Sequence, residues 1–204
     1  GRASCTYFSG YELTYTLDAL GRWTKIEDAS SNDLVTWSYY GPGRRIKAVG
    51  FPGGHVEQRA YDGFRNLVGI DHKDSSGQVF AGYSYAFDNV GNRLWEERSH
   101  DGGVGNVYEH DKARRLTGAL IGSLDPSAEA ADGDWSDYSY SNWMKYNMDD
   151  MSNRTSVVDT PYGQQGVTTS YTSNAVNQYS LIDSIARTHD GKGNLTWDGS
   201  RSYR

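Results

Sequence analysis

One short frame recurs along this chain and leaves little room for any fold but an antiparallel sheet. In FDNVGNRLWEE, residues 87–97, Asp88 stands three residues before Gly91-Asn92. An Asp carboxylate accepts hydrogen bonds from backbone N–H groups two or three residues on, and Gly and Asn tolerate positive φ, so the chain must reverse here. Before the reversal Tyr83, Tyr85 and Phe87 alternate with small residues, which places their rings on one face of a strand. After it Arg93-Leu94-Trp95 begins the return strand. The stretch is a β-hairpin with aromatic residues packed on one sheet face.

With Gly91 as reference, the frame fits YTLDALGRWTK at Gly21, YYGPGRRIKAV at Arg44, AYDGFRNLVGI at Arg65 and EHDKARRLTGA at Arg114. It fits again in NMDDMSNRTSV at Ser152, YTSNAVNQYSL at Asn177 and THDGKGNLTWD at Gly193, and Gly1-Arg2 reads as the second half of one more turn. Successive reference positions are 20, 23, 21, 26, 23, 38, 25 and 16 residues apart, a period of two strands and two turns. The predicted turn residues are Asp18, Gly21, Arg22, Asp62, Asn66, Asp88, Gly91, Asn92, Asp111 and Arg115, then Asp149, Asn153, Asn177, Asp190, Gly193 and Asn194. Gly41 and Asn174 depart in the Asp slot: Gly41 cannot brace a turn, although Pro42 fixes φ beside it, and Asn174 keeps an acceptor without the charge. Charge-assisted bonds are expected from Arg22 to Asp18 and from Arg115 to Asp111.

Composition agrees with many short strands. The chain has 16 Tyr, 6 Trp and 24 Gly against 4 Pro and 3 Met. Hydrophobic residues make up only 36% and mean hydropathy is −0.74, low for a 204-residue globule with one thick core. A sheet wetted on both faces and held by cross-strand pairs needs fewer aliphatics.

The motifs YDGFRNL, FDNVGNRL, HDKARRL and HDGKGNLTWDG, with VNQYSLI before the last, resemble the tyrosine-aspartate (YD) repeats of Rhs proteins and teneurins. The resemblance runs from Gly1 to Arg204, with departures at Gly41, at Leu17 in the tyrosine slot, and between Arg114 and Ser152. It implies an all-β fold, a long antiparallel sheet of repeated hairpins that curves or spirals as part of a YD-repeat shell. In full-length members the shell encloses a polypeptide, often a toxin. Residues 1–204 then form a single repeat segment with an insertion at about 120–147, read as a piece of a larger chain whose secretion signal, core segment and cargo lie elsewhere. Extracellular or cell-surface placement is implied by the resemblance alone.

Net charge is −6 and no Lys/Arg run exceeds two residues, which argues against a duplex nucleic-acid partner. No apolar stretch approaches a membrane span. Cys5 is alone, so no internal disulfide is expected. His55, His72, His100, His110 and His189 show no zinc spacing, and His110 and His189 fill tyrosine slots of their repeats. No catalytic, cofactor or metal residue is expected, and no nucleophile motif is present. Asn153 and Asn194 open glycosylation sequons at turn tips.

The insertion reads differently. IGSLDPSAEAA, residues 121–131, is expected to be a loop broken at Pro126, followed by an acidic loop at Asp132-Gly133-Asp134. Asp132, Asp134 and Ser136 mimic a calcium loop, but Asp137 replaces the required Gly and Trp143 the bidentate Glu, which excludes an EF-hand. Trp135, Tyr138, Tyr140 and Trp143, with Tyr146, are expected on one face, either as a sugar-binding ledge or as a longer hairpin of the same sheet.

Two function classes follow. One is structural: a scaffold or shell wall that encapsulates a C-terminal toxin-like polypeptide or builds an extracellular assembly, partnered by neighbouring repeats through edge-strand pairing. The other is cell-surface recognition of glycans or a partner protein.

Overall fold

The computed structural model describes residues 1–8, 10–133 and 139–203. Its strands are β1 (Arg2–Thr6), β2 (Glu12–Leu17), β3 (Trp23–Asp28), β4 (Asp33–Tyr39), β5 (Ile46–Gly50), β6 (Val56–Tyr61), β7 (Leu67–Lys73), β8 (Val79–Phe87) and β9 (Arg93–Arg98). They continue as β10 (Val104–His110), β11 (Leu116–Ser123), β12 (Asn142–Met148), β13 (Arg154–Pro161), β14 (Val167–Ser173), β15 (Tyr179–Ile182), β16 (Ile185–Ala186), β17 (Thr188–His189) and β18 (Leu195–Trp197). A helix, α1 (Pro126–Asp132), sits between β11 and β12.

Strands β1 to β16 form one 16-stranded antiparallel sheet in which spatial order equals sequence order. Every strand therefore pairs with its chain neighbours, the arrangement that tight hairpin turns enforce. The last repeat departs from the continuous sheet: β17 and β18, two and three residues long, form their own hairpin.

The chain packs as two compact units, Gly1–Ala86 with Glu97–Gly103 and Phe87–Glu96 with Val104–Arg204. In the first, strand register assigns faces directly, because cross-strand partners share a face. Tyr15 pairs with Ile26, Ile26 with Val35, Trp37 with Val49, and Ile70 with Tyr83, which gives one largely apolar face, interrupted by the Glu57–Arg59 ion pair and His72. The other face carries Thr14 paired with Glu27, Thr36 with Gly50, Ala48 with Gln58, and Asp71 with Gly82. It is polar and small, and a Cβ added at Gly82 would meet Ser99 Oγ at 2.3 Å, so the serine side chain would have to turn aside. Most residues of the apolar face are only half-buried.

The second unit holds the chain's tightest packing. Val107 is 1% exposed and Leu120 0%; Leu120 pairs with both Val107 and Trp143. Trp95, Tyr140, Trp143 and Ala130 of α1 pack against them. Burial of a leucine this complete is worth roughly 1.5–3 kcal/mol.

Helix α1 overturns the expectation of a loop at 121–131. Pro126 does not break the chain but opens the helix at a position where no N–H is needed. Asp125 caps it, accepting from Ala128 N–H at 3.1 Å, and Gly133 at φ 72° closes it by donating to the Glu129 carbonyl. It also means that one face is covered here rather than wetted. The insertion as a whole is an excursion between two paired strands: β11 and β12 keep a register from Gly118–Lys145 to Ile121–Asn142.

Candidate functional site

The candidate functional surface is the row of side-chain-braced turns, built the same way each time. At Asp88, Oδ1 accepts from Val90 N–H at 2.9 Å and Asn92 N–H at 2.8 Å, while Oδ2 accepts from Asn92 Nδ2 at 2.7 Å. Two backbone bonds close the loop, Asp88 N–H to the Asn92 carbonyl and Gly91 N–H to the Asp88 carbonyl. The same set recurs at Asp18 with Arg22, Asp111 with Arg115, Asp149 with Asn153 and Asp190 with Asn194. Asp62 with Asn66 carries its core, and Asn174 completes the pattern with Gln178 through its carboxamide.

The residue three after the brace is left-handed in each of these: Gly21, Arg65, Gly91, Arg114, Ser152, Asn177 and Gly193 lie between φ 61° and 90°. A two-residue reversal followed by a left-handed residue matches the strand twist and leaves one bulge in the pairing. The register shift at Leu17–Trp23 is that bulge.

Arg44 does not follow the frame. Its loop runs from Tyr40 N–H to the Arg45 carbonyl at 2.9 Å, and the left-handed residue is Gly41 at φ 56°. Without an Asp the loop borrows its brace: Arg22 Nη1 donates to the carbonyls of Gly41, at 2.8 Å, and Gly43. Arg22 Nε is meanwhile held by Asp18 Oδ2 at 2.7 Å, and the guanidinium lies 4.4 Å from the Tyr39 ring centroid.

The second unit repeats this tie. Arg115 Nε binds Asp111 Oδ2 at 2.6 Å, and its Nη1 reaches the Asp149 carbonyl at 2.8 Å and Ser152 Oγ at 3.3 Å. Asn153 Nδ2 reaches Asn177 Oδ1 at 3.2 Å, so the next pair of turns is linked as well. Asn153 and Asn194 thus spend their amide nitrogens within the turns.

Further turns braced by the residue four on, at Asp28 with Asn32 and Asp74 with Gln78, lie at the opposite strand ends and escape the repeat frame. Each has its own left-handed residue, Ser31 at φ 63° and Gly77 at φ 85°. The signal was present as D-x-x-S-N and D-x-x-G-Q, without an aromatic before the Asp.

All these carboxyls are held below the ordinary aspartate range. At Asp18 and Asp111 the backbone N–H four residues on does most of this; at Asp28, Asp149 and Asp190 the Asn side chain does. At Asp62 and Asp88 burial pushes the carboxyl up, and the converging donors outweigh it.

The expected aromatic ledge is not assembled as one face. Trp135 and Tyr138 lie outside the described residues. Trp143 pairs with Thr160 and Tyr146 with Val157, an odd separation that puts them on opposite faces of β12. Tyr140 and Trp143 pack on Val107 and Leu120, and Tyr140 also meets Tyr162 edge-on at 5.3 Å. Cys5 is free and exposed on β1. Among the described residues no group of three His, Cys, Asp or Glu is placed to hold a metal ion, and no helix is long and apolar enough to cross a membrane.

No protein-family model and no curated protein matches the sequence. Solved structures do. The chain superposes on "TcdB2-TccC3 without hypervariable C-terminal region" with a TM-score of 0.62 at 15% identity, covering 92% of this chain and 11% of that one. The match to "TcdB2-TccC3-Cdc42" has a TM-score of 0.61 at 15% identity, with 92% and 11% covered. That to a Photorhabdus luminescens Tc holotoxin pore has 0.54 at 17%, with 91% and 12% covered. The chain spans about a tenth of the length of these proteins, and what it shares with the Tc toxin chains is the fold, a long antiparallel sheet of sequential hairpins.

Proposed function

We propose that this chain is wall material of a YD-repeat shell, with a structural role and no chemistry of its own. The observation that carries the reading is the tie between turns: Arg22 and Arg115 each brace their own hairpin and the backbone of the next turn at the same strand ends. Such ties stiffen a sheet against shear between hairpins, a property a wall needs and an isolated recognition hairpin does not. The likeness of fold to chains of Tc toxin complexes supports it. On this reading the wall's partners are neighbouring repeats joined through edge strands and an enclosed polypeptide, and the assembly is extracellular. A glycan ledge at Tyr140 and Trp143 has less support, because both side chains pack on the Val107–Leu120 cluster.

Electron microscopy of the complete natural chain carrying this segment tests the proposal. Hollow closed particles, with an internal polypeptide that resists protease until the particle is denatured, are expected. Solid particles or extended rods, with no protected polypeptide, overturn it.

A further inference from the structure

The most unusual group in the molecule lies on α1. Glu129 is 1% exposed, and neither carboxylate oxygen has a hydrogen-bond partner. A buried ionised carboxylate in that position is strongly disfavoured. Ser123, 0% exposed, pulls in the opposite direction, but its hydroxyl oxygen accepts the Asp125 N–H at 3.1 Å and does not reach hydrogen-bond geometry with Glu129. Burial pushes the Glu129 carboxyl up, and the negative charge of Asp125 on the same helix adds to it.

Among the described residues none forms an ion pair with Glu129. Of the elements packed against α1, β10 presents Glu109 and His110, which line a cavity with Ala130 and Gly133 rather than pairing with Glu129. From α1 itself come Asp125, which caps the helix, and Asp132. On β11 the buried neighbour is Ser123, and on β12 the charged residue is Lys145, level with Gly118; Glu129 forms no ion pair with it.

Helix α1 borders open space on one side. A cavity of about 430 Å³, lined by Leu94, Val107, Tyr108, Thr117 and Ala130, opens beside it. Beneath the helix lies the apolar cluster of Val107, Leu120 and Trp143. The ladder between β11 and β12 is made without the helix, since the two strands pair directly.

We propose that α1 is a protonation-controlled latch: it stays docked over the Val107–Leu120 cluster while the Glu129 carboxyl is neutral, and lifts to uncover that cluster when the carboxyl ionises. A group whose folded-state affinity for the proton exceeds its unfolded one stabilises docking fully below its ordinary value. That stabilisation is lost as pH rises toward the folded-state value, by up to about tenfold in the docking equilibrium per pH unit.

Hydrogen exchange of the Ala128–Asp132 amides, followed from pH 4 to 9 on the whole chain and corrected for intrinsic base catalysis, reads the latch directly. The expected result is a loss of protection that steepens above the ordinary glutamate value. The amides of Val107 and Leu120, held in strand pairing, should keep theirs. In Glu129→Gln the protection should be independent of pH. If that variant is undocked throughout, Glu129→Met, which strands no polar atom, takes its place in the same comparison. A flat profile in the native protein, or a slope of equal size in the pH-silent variant, overturns the proposal.

Discussion

Arg115 donates through Nη1 to the backbone carbonyl of Asp149 at 2.8 Å, across 34 positions of sequence, while its Nε is held by Asp111 at 2.6 Å. One guanidinium thereby joins two turns that no sequence proximity connects. Arg22 makes the equivalent tie to the Gly41 loop. The fork geometry is essential, because one planar group must donate in two directions at once.

Replacing Arg115 with Ala should lower the melting temperature by roughly 2–4 °C, the effect of losing one charge-assisted network in a chain of this size. Lys at the same position should not restore it. Thermal unfolding followed by circular dichroism checks both, and full rescue by Lys would show that only the charge matters.

Acid should weaken the fold through the turn braces. The carboxyls of Asp18, Asp28, Asp74, Asp111, Asp149 and Asp190 are lowered in the folded state, so their contribution is present above the unfolded value near 3.9 and is lost as pH falls through the folded ones. In Glu129→Gln, which removes the opposing titration of that carboxyl, denaturant midpoints should be level from about pH 7 to 5 and fall steeply below pH 4. Asn at position 111, an acceptor without charge, should reduce the steepness of that fall.

Left-handed positions separate glycine from the rest. Gly91 sits at φ 89° with open space around its Cβ position, so Gly91→Ala should cost roughly 1 kcal/mol from backbone strain alone. Arg65, exposed at φ 75°, is the converse case. Arg65→Gly should be neutral or stabilising by roughly half a kcal/mol, since relief of strain exceeds the added freedom of the unfolded chain. Denaturant unfolding at neutral pH measures both.

Leu120→Ala should destabilise the second unit by about 2–5 kcal/mol, because the side chain is fully enclosed by Val107, Trp95 and Trp143. The same change at Leu94 or Leu195, outside that cluster, should cost much less. Urea unfolding followed by tryptophan fluorescence distinguishes them.

The hairpins were legible in the sequence because their chemistry is local. An Asp, a left-handed residue three positions on and a donor four positions on all lie within one turn, so Asp88, Gly91 and Asn92 declare the reversal without reference to anything else. The same locality explains why Asp18–Arg22 and Asp111–Arg115 pairs could be anticipated. Asp28 and Asp74 use identical chemistry but lack the preceding aromatic, and a frame anchored on that aromatic passed over them.

What lay outside the sequence's reach depends on contacts between distant positions. Pro126 signals a break or a helix start equally well, and only the packing of Ala130 on Val107 and Leu120 makes the helix worth forming. Trp143 and Tyr146 part to opposite faces because β12 is a strand, which the register with β13 decides. The ties from Arg22 to Gly41 and from Arg115 to Asp149 exist because sequential hairpins bring every second turn to the same strand ends. Turn chemistry is written in neighbouring residues, whereas the clamps, the docked helix and the buried Glu129 belong to the sheet that those turns assemble.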